Sequence, residues 1–383
     1  MGSRHERCVE GGALSAAGEP APMRRLVLVG GGRAHLGVLH ALARRVVRGA
    51  EVVLVSDDRE SFHPSMAAAL LRGDCSLGEA RIDLVALADR AGARVVTGSV
   101  SRIEVEQRHL LSGTERIPFD VCSFDAVGWP EGADLPGVVE HALPLRPTSA
   151  LPGVREAVES RLSGSAGRID CVVVGAGRTG VEAAFSMQQR LRGHASGGVV
   201  TLVDGATTIL AGESPCRDVA VRELQRDGVC FALGSRVIEV KRDGVVLASG
   251  AMLPADLVLW ATPGASPPVI AESGLPHDAR GRLLVDEWLR SRDGAPVWAA
   301  GDCAALEAPG AASHTQTLVR SLRSALAESD VGARGSERDH PCLLDTGDGR
   351  AIVGWGPIEA RSRLGGWLRR RRDRQYVAEL ARP

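Results

Sequence analysis

Hydrophobic positions along the chain fall into one pattern that occurs twice. Leu26-Val27-Leu28-Val29 is a short apolar run stopped by Gly30-Gly31-Gly32. Apolar residues return at helical spacing at Leu36, Leu39, Ala43 and Val46, and a second strand pattern covers residues 51–55. Unbroken apolar runs suit parallel strands buried on both faces. Strand, glycine turn, helix and strand within about thirty residues make a βαβ unit. The pattern then recurs. Residues 171–174 read as a strand and Gly175-Ala176-Gly177-Arg178-Thr179-Gly180 as a turn. Val181, Ala184, Phe185 and Leu191 share one helical face, and residues 199–203 form the next strand. A helix near residues 219–226, a meander through 229–253 and a strand at 257–260 follow.

Between the repeats, residues 94–127 alternate and are turn-rich, which predicts a small antiparallel meander. Residues 144–153, with Pro144, Pro147 and Pro152, read as a linker. Residues 342–355 predict a hairpin around Thr346-Gly347-Asp348-Gly349, leading to Trp367-Leu368 and a basic run at 369–372. The expected fold class is α/β: two Rossmann-like dinucleotide-binding domains and a small C-terminal α+β segment. Residues 1–22 are expected to be a disordered tail. The first binding domain takes in 23–148 and 256–332, the second 149–255, and the C-terminal hairpin and basic helix 333–383.

Composition narrows the function. At 383 residues two or three domains are expected. A content of 44% hydrophobic and 24% charged residues is that of an ordinary soluble globular protein. A net charge of −1 gives no reason to expect nucleic acid as a partner. The eight cysteines lack C-x-x-C or C-x₄-C spacing, which argues against a metal site and against paired redox cysteines. The N-terminus lacks the apolar core of a signal peptide, and no apolar run approaches the ~18–20 residues of a membrane span. A cytoplasmic protein is expected, or one held at the inner face of the membrane.

The second glycine motif carries the stronger chemistry. In G-x-G-x-x-G, Gly175 permits the tight turn, Gly177 lets a pyrophosphate approach the backbone, and Gly180 lets helix pack on strand. The helix start around Thr179 then offers free N–H groups to phosphate. Asp204 ends the next strand, where a carboxylate binds an adenosine ribose hydroxyl. The residues that follow it, Gly205-Ala206-Thr207-Thr208, offer no arginine to a 2′-phosphate, which favours NADH over NADPH. In the first motif Gly30, Gly31, Gly32 and Ala34 line the turn, but His35 stands where a third glycine belongs. Its second strand ends in Ser56-Asp57-Asp58, so Asp57 comes late as the ribose acid, or Ser56 takes that place. A Rossmann-like unit that holds no nucleotide is the alternative.

These residues resemble the pyridine nucleotide–disulfide oxidoreductase superfamily, nearest its type II NADH dehydrogenase-like branch. They are also similar to the subfamily found fused to, or encoded beside, selenide water dikinase. The resemblance rests on residues 30–36, where that subfamily tends to read G-G-G-H-A-H, and on Arg81-Ile82-Asp83-Leu84, Glu140-His141-Ala142, residues 177–182, residues 300–304 and residues 346–352. It runs from about Arg24 to Tyr376. It implies FAD in the first unit, NAD(H) in the second, and hydride transfer from NADH to flavin and on to a small-molecule acceptor such as a quinone. It also implies that Gly301-Asp302 contacts the ribityl chain and that Ala261-Thr262-Pro263-Gly264 is the turn returning the chain to the FAD unit. Glu182, near the nicotinamide in relatives, becomes a catalytic candidate. His314, at the flavin-facing helix start, and His63 are candidates to protonate a reduced acceptor.

The chain departs from the subfamily in two places. A loop like Y-S-G-M-L-P-G is expected where residues 62–69 have lost the glycines, and an Arg-Gln pair is expected where Ser313-His314 stands. Both lie where the acceptor should bind. Two other readings stay open: a sulfur- or selenium-handling flavoenzyme using Cys171 and Cys342, and a redox-sensing nucleotide-binding protein without turnover. The C-terminal segment reads either as a peripheral membrane contact, Trp367 inward and arginines outward, or as a solvated basic helix. A homodimer is compatible with the sequence.

Overall fold

The computed structural model describes residues 23–381, apart from positions 48, 127, 166, 212–215, 307–313, 328, 330–341 and 356–357. The expected N-terminal tail and part of the segment 333–383 therefore lie outside the described residues. Two five-stranded parallel sheets organise the rest. The first runs Val297–Ala299, Val121–Phe124, Arg24–Val29, Ala50–Ser56, Ala93–Thr97. Its central strand is apolar on both faces because both are covered, and Leu26, Val27 and Leu28 have no exposed surface. The second runs Leu143–Pro144, Leu257–Trp260, Ile169–Val174, Gly198–Asp204, Cys230–Leu233.

In each sheet the central strand ends in a positive-φ glycine (Gly30 at +94°, Gly175 at +105°) and leads into a helix, Arg33–Arg44 or Arg178–Gly193. Positive φ is the conformation for which glycine is needed. Two boundaries move from where the pattern put them. Leu257–Trp260 and Leu143–Pro144 pair in the second sheet, so the chain recrosses to the first sheet after Trp260 rather than at 256. Ala93–Thr97 mixes buried and exposed positions because it is the edge strand of the first sheet, and the meander proper is Val100–Glu104, His109–Ser112, Glu115–Pro118.

The proline-rich stretch read as a linker contains the start of a helix, Leu151–Gly164, with Pro152 in its first turn. There the missing N–H has no helical partner to lose. The C-terminal module is a three-stranded antiparallel sheet, Cys342–Asp345, Ala351–Trp355 and Ile358–Ser362, one strand more than the expected hairpin. Helix Arg363–Ala381 closes it. A contiguous apolar core links both parallel sheets to this helix through Val377 and Leu380.

Candidate dinucleotide and redox site

The second glycine turn has the geometry of a dinucleotide seat. A Cβ on Gly180 would lie 1.7 Å from the Gly175 carbonyl oxygen, so only glycine lets the helix lie this close to the strand. A Cβ on Gly177 would meet nothing within 4 Å, which leaves the turn open on the side from which a pyrophosphate arrives. Asp204 braces the turn: its carboxylate accepts from Ala176 N–H (2.6 Å) and Ala206 N–H (2.7 Å). Thr262 donates to the Glu131 carbonyl (2.8 Å), and the chain at Ala261–Thr262 packs against Gly175. Gly264 bridges to Pro130. Sequence reasoning missed Arg236, whose side chain packs against Gly205, the residue after Asp204. It comes from the meander, far along the chain.

The first turn is built differently. His35 is buried and serves as a strut. Its Nδ1 lies 2.7 Å from the Gly30 carbonyl oxygen and its Nε2 2.9 Å from Ser123 Oγ. Burial lowers its pKa, so the ring is neutral and bridges the turn to the adjacent strand. Asp125, which no sequence signal had singled out, follows that strand. Its carboxylate accepts from the N–H groups of Ala34 (2.7 Å) and His35 (3.0 Å) at the helix start, and its carbonyl accepts from Gly32 N–H (2.9 Å). These donors are the ones a helix start offers to phosphate. The carboxylate stands in for phosphate oxygens, so the donor set fits an anion of this kind.

Gly31 lies under Leu84, whose Cδ1 would be 2.6 Å from an added Cβ. Ser56 is buried and accepts from Asp58 N–H (3.2 Å), while Asp57 is exposed and accepts from Ser99 Oγ (2.5 Å). Gly301, at φ +60°, and His314 meet: the Gly301 N–H donates to His314 Nδ1 (3.1 Å). Asp302 pairs with Arg146 (2.7 Å). Ser313 lies outside the described residues.

Glu182 sits in the first turns of the second glycine helix and is buried. Both its oxygens bind the Arg369 guanidinium, at 2.6 and 2.8 Å. Burial pushes its carboxyl up, while Arg369 and Arg178 pull the other way. For Arg369 burial opposes the charge, and Glu182 and Asp373 more than restore it, so its pKa rises. A bidentate guanidinium on a carboxylate in this geometry holds the pair charged. Arg369 also donates to the Ser65 carbonyl (3.1 Å). A second buried pair, Arg72 with Asp345 (3.1 Å), lies beside it, and Asp345 N–H donates to Glu182 (3.3 Å). The two pairs tie the C-terminal module to both glycine units. Arg369, expected to face outward with its neighbours, is instead an internal ligand.

The segment expected as a glycine-poor loop is ordered. Pro64–Met66 is a single turn followed by helix Ala67–Arg72. His63 is buried, accepts from Ser65 N–H (3.1 Å) and meets Tyr376 edge-on at 4.8 Å. Burial, with Arg33, Arg369 and Arg372 around it, lowers its pKa to about 3. A neutral ring at this depth is no proton donor at neutral pH. Of the two cysteines weighed for sulfur chemistry, Cys171 lies wholly inside the second sheet, its thiol pushed up to about 12 by burial. Cys342 instead lies beside Cys216, whose Sγ is 3.8 Å from the Cys342 carbonyl oxygen, and Arg178 reaches Cys342 Sγ (3.4 Å). Cys303 is a buried thiol bonded to the Ala126 carbonyl.

Residues 24–328, which carry both glycine units, match a known family described as pyridine nucleotide-disulphide oxidoreductase. The chain belongs to that family. An NADH dehydrogenase-like protein of Mycobacterium tuberculosis is 28% identical, covering 74% of this chain and 73% of its own length. A demethylphylloquinone reductase of Synechocystis is 25% identical, covering 81% and 78%. An internal alternative NAD(P)H-ubiquinone oxidoreductase of Solanum tuberosum mitochondria is 31% identical, over 42% of this chain and 33% of its own length. The chain thus spans about a third of that plant relative. Among solved structures, the sulfide:quinone oxidoreductase of Aquifex aeolicus superposes with a TM-score of 0.75 at 12% identity, covering 93% of this chain and 91% of its own. The Plasmodium falciparum NDH2–NADH complex gives 0.70 at 12% identity, covering 94% and 100%. At such identities these two show the fold alone.

Proposed function

We propose that this protein is an FAD-dependent NADH dehydrogenase of the type II kind that delivers electrons to a quinone. The observation that carries the reading is the pair of glycine turns in a chain of this family, the second open at Gly177 and braced by Asp204. Residues 23–142 with the segment after Trp260 would hold FAD, and the residues between, which build the second sheet, would hold NADH. When bound, FAD supplies the redox chemistry, taking two electrons from the nicotinamide and yielding them to the acceptor.

The chain's own residues do the rest. The Gly175–Gly180 turn and its helix start hold the NADH pyrophosphate, and Asp204 receives the ribose hydroxyls. Ala34 and His35 offer N–H groups to the FAD pyrophosphate, with Gly30–Gly32 letting the backbone approach. Ser56 and Asp57, at the end of strand Ala50–Ser56 and just after it, would lie by the FAD ribose, and Asp302 would reach the ribityl chain. Thr262 and Gly264 fix the return crossing. Glu182 and His314 are the proposed catalytic pair, Glu182 at the nicotinamide face and His314 at the acceptor side.

The quinone reading draws on the relatives' named activities and on the exposed face of helix Arg363–Ala381. Leu364, Trp367 and Leu368 are exposed at positions i, i+3 and i+4, with Arg363 and Arg371 exposed nearby. An apolar stripe beside arginines suits the surface of an anionic membrane. Among the described residues no helix is long and apolar enough to cross a membrane, so attachment would be peripheral, at the cytoplasmic face.

The first test is the visible spectrum of the purified protein before and after anaerobic NADH. Flavin bands near ~370 and ~450 nm that bleach with NADH and return with a soluble quinone support the reading. A protein that stays colourless after incubation with FAD refutes it. NADPH run alongside NADH tests whether Arg236 admits the 2′-phosphate. Flotation with anionic vesicles, reversed by salt, tests the membrane contact.

A further inference from the structure

The two glycine turns differ in one respect that sequence motifs do not show. Gly177 of the second turn faces open space, whereas Gly32 of the first faces a side chain. A Cβ on Gly32 would lie 2.3 Å from Asp125 Cγ and 2.4 Å from its Oδ1. A Cβ on Gly301 would lie 2.6 Å from the same oxygen. The carboxylate is thus wedged between the glycine turn and the Gly301-Asp302 turn, only 4% exposed, with two N–H groups of the helix start on one of its oxygens. Its backbone is held, with its N–H donating to the Val29 carbonyl (3.0 Å) and its own carbonyl taking Gly32 N–H, so the carboxylate leaves only by side-chain rotation.

We infer that Asp125 is a built-in gate on the first dinucleotide seat, an internal anion that fills the phosphate position and must swing out before a diphosphate enters. The inference rests on the reading that this unit takes FAD. Its physical basis is competition. A carboxylate and a diphosphate oxygen want the same two N–H groups and the same positive end of one helix, and two anions cannot share them. The protein without FAD is therefore stabilised by its own side chain, and FAD binds only by displacing it. The second seat has no such occupant at Gly177, so NADH binding is not gated in this way.

The test compares the full-length wild type with Asp125→Asn and Asp125→Ala, freed of flavin and titrated with FAD by quenching of flavin fluorescence. Asp125→Asn keeps an oxygen that can accept from both N–H groups, which protects the fold while removing the charge. Tighter FAD binding by about tenfold in Asp125→Asn is expected, the size of a partly buried charge's interaction with a helix N-terminus. The flavin-free Asp125→Ala protein should melt several degrees below wild type, with NADH affinity unchanged in both variants. If wild type binds FAD and Asp125→Asn binds it equally or more weakly, the gate is refuted while the flavin reading survives. If none of the three proteins binds FAD although NADH still binds, the flavin reading itself fails and the gate with it.

Discussion

Replacing Arg369 by methionine removes the side chain that closes on both Glu182 oxygens, and it does so without opening a large hole. Glu182 is 4% exposed and Arg369 6% exposed, so the stranded carboxylate has little access to water. Truncating one partner of such a buried pair costs about 3–5 kcal/mol, most of it the penalty of the charge left behind. Glu182→Gln should cost less, about 1–3 kcal/mol, because Arg369 retains Asp373 at 3.6 Å and the amide oxygen can still accept. A double variant, Glu182→Met with Arg369→Met, should recover much of the loss, since apolar replacements of both partners are often neutral or better. Urea denaturation of the flavin-free full chain for wild type, Arg369→Met, Glu182→Met and the double variant closes the cycle, and strong coupling between the two sites is the expected result. Single variants that each cost under about 1 kcal/mol and add without coupling would refute the claim that this pair is a buried, charged tie. The Glu182→Gln protein answers a second question. In single turnover, reduction by NADH slows if the carboxylate also serves the nicotinamide, and keeps its wild-type rate if the pair is only structural.

Other consequences follow from the same geometry. Gly177→Ala should leave stability unchanged and weaken NADH binding, whereas Gly180→Ala should destabilise by about 1–3 kcal/mol, as overpacking does. Melting curves and NADH titration separate the two effects, and the reverse ordering would overturn the assignment of roles in that turn. His63, with a pKa of about 3 against an ordinary 6.5, stays neutral in the fold, while the unfolded chain takes up a proton below 6.5. Its contribution is complete above that value and is lost as pH falls from 6.5 toward 3, at up to about 1.4 kcal/mol per pH unit. His63→Asn should therefore flatten the fall of stability between pH 6 and pH 4 by up to about one proton, and an unchanged slope would count against it. Mild oxidation with diamide should join Cys216 to Cys342, read as one linked peptide by mass spectrometry and absent in Cys342→Ser. A link from Cys342 to Cys171 would contradict the observed placement.

The parallel sheets were legible because burial on both faces leaves an unbroken apolar run, and the glycine turns because positive φ restricts residue choice. Other features were not. Edge strand Ala93–Thr97 mixes buried and exposed positions as a meander strand does, so its pattern alone could not place it. Pro152 looks like a breaker when read in a line and is an ordinary first-turn residue when the helix beyond it is known. Arg369 looked like one of four solvated arginines, because the pattern along its own helix does not reveal that Glu182 lies opposite, 187 residues away in sequence.

Asp125 is the most instructive of the missed residues, because its counterpart was found. In the second unit the acid that touches the glycine turn ends the strand immediately after the helix, where the dinucleotide motif directs attention. In the first unit the acid comes from the strand on the other side, 91 residues from Ala34, after a meander whose length the motif does not fix. The sequence does carry a signal there: Val121–Phe124 is a four-residue buried strand followed at once by a carboxylate. In a parallel sheet such a residue emerges at the same edge as the neighbouring glycine turn. The side from which the acid approaches decides what it does. Asp204 bonds Ala176, within the turn, and leaves Gly177 open. Asp125 bonds Ala34 and His35, at the helix start itself, and fills the place a phosphate would take.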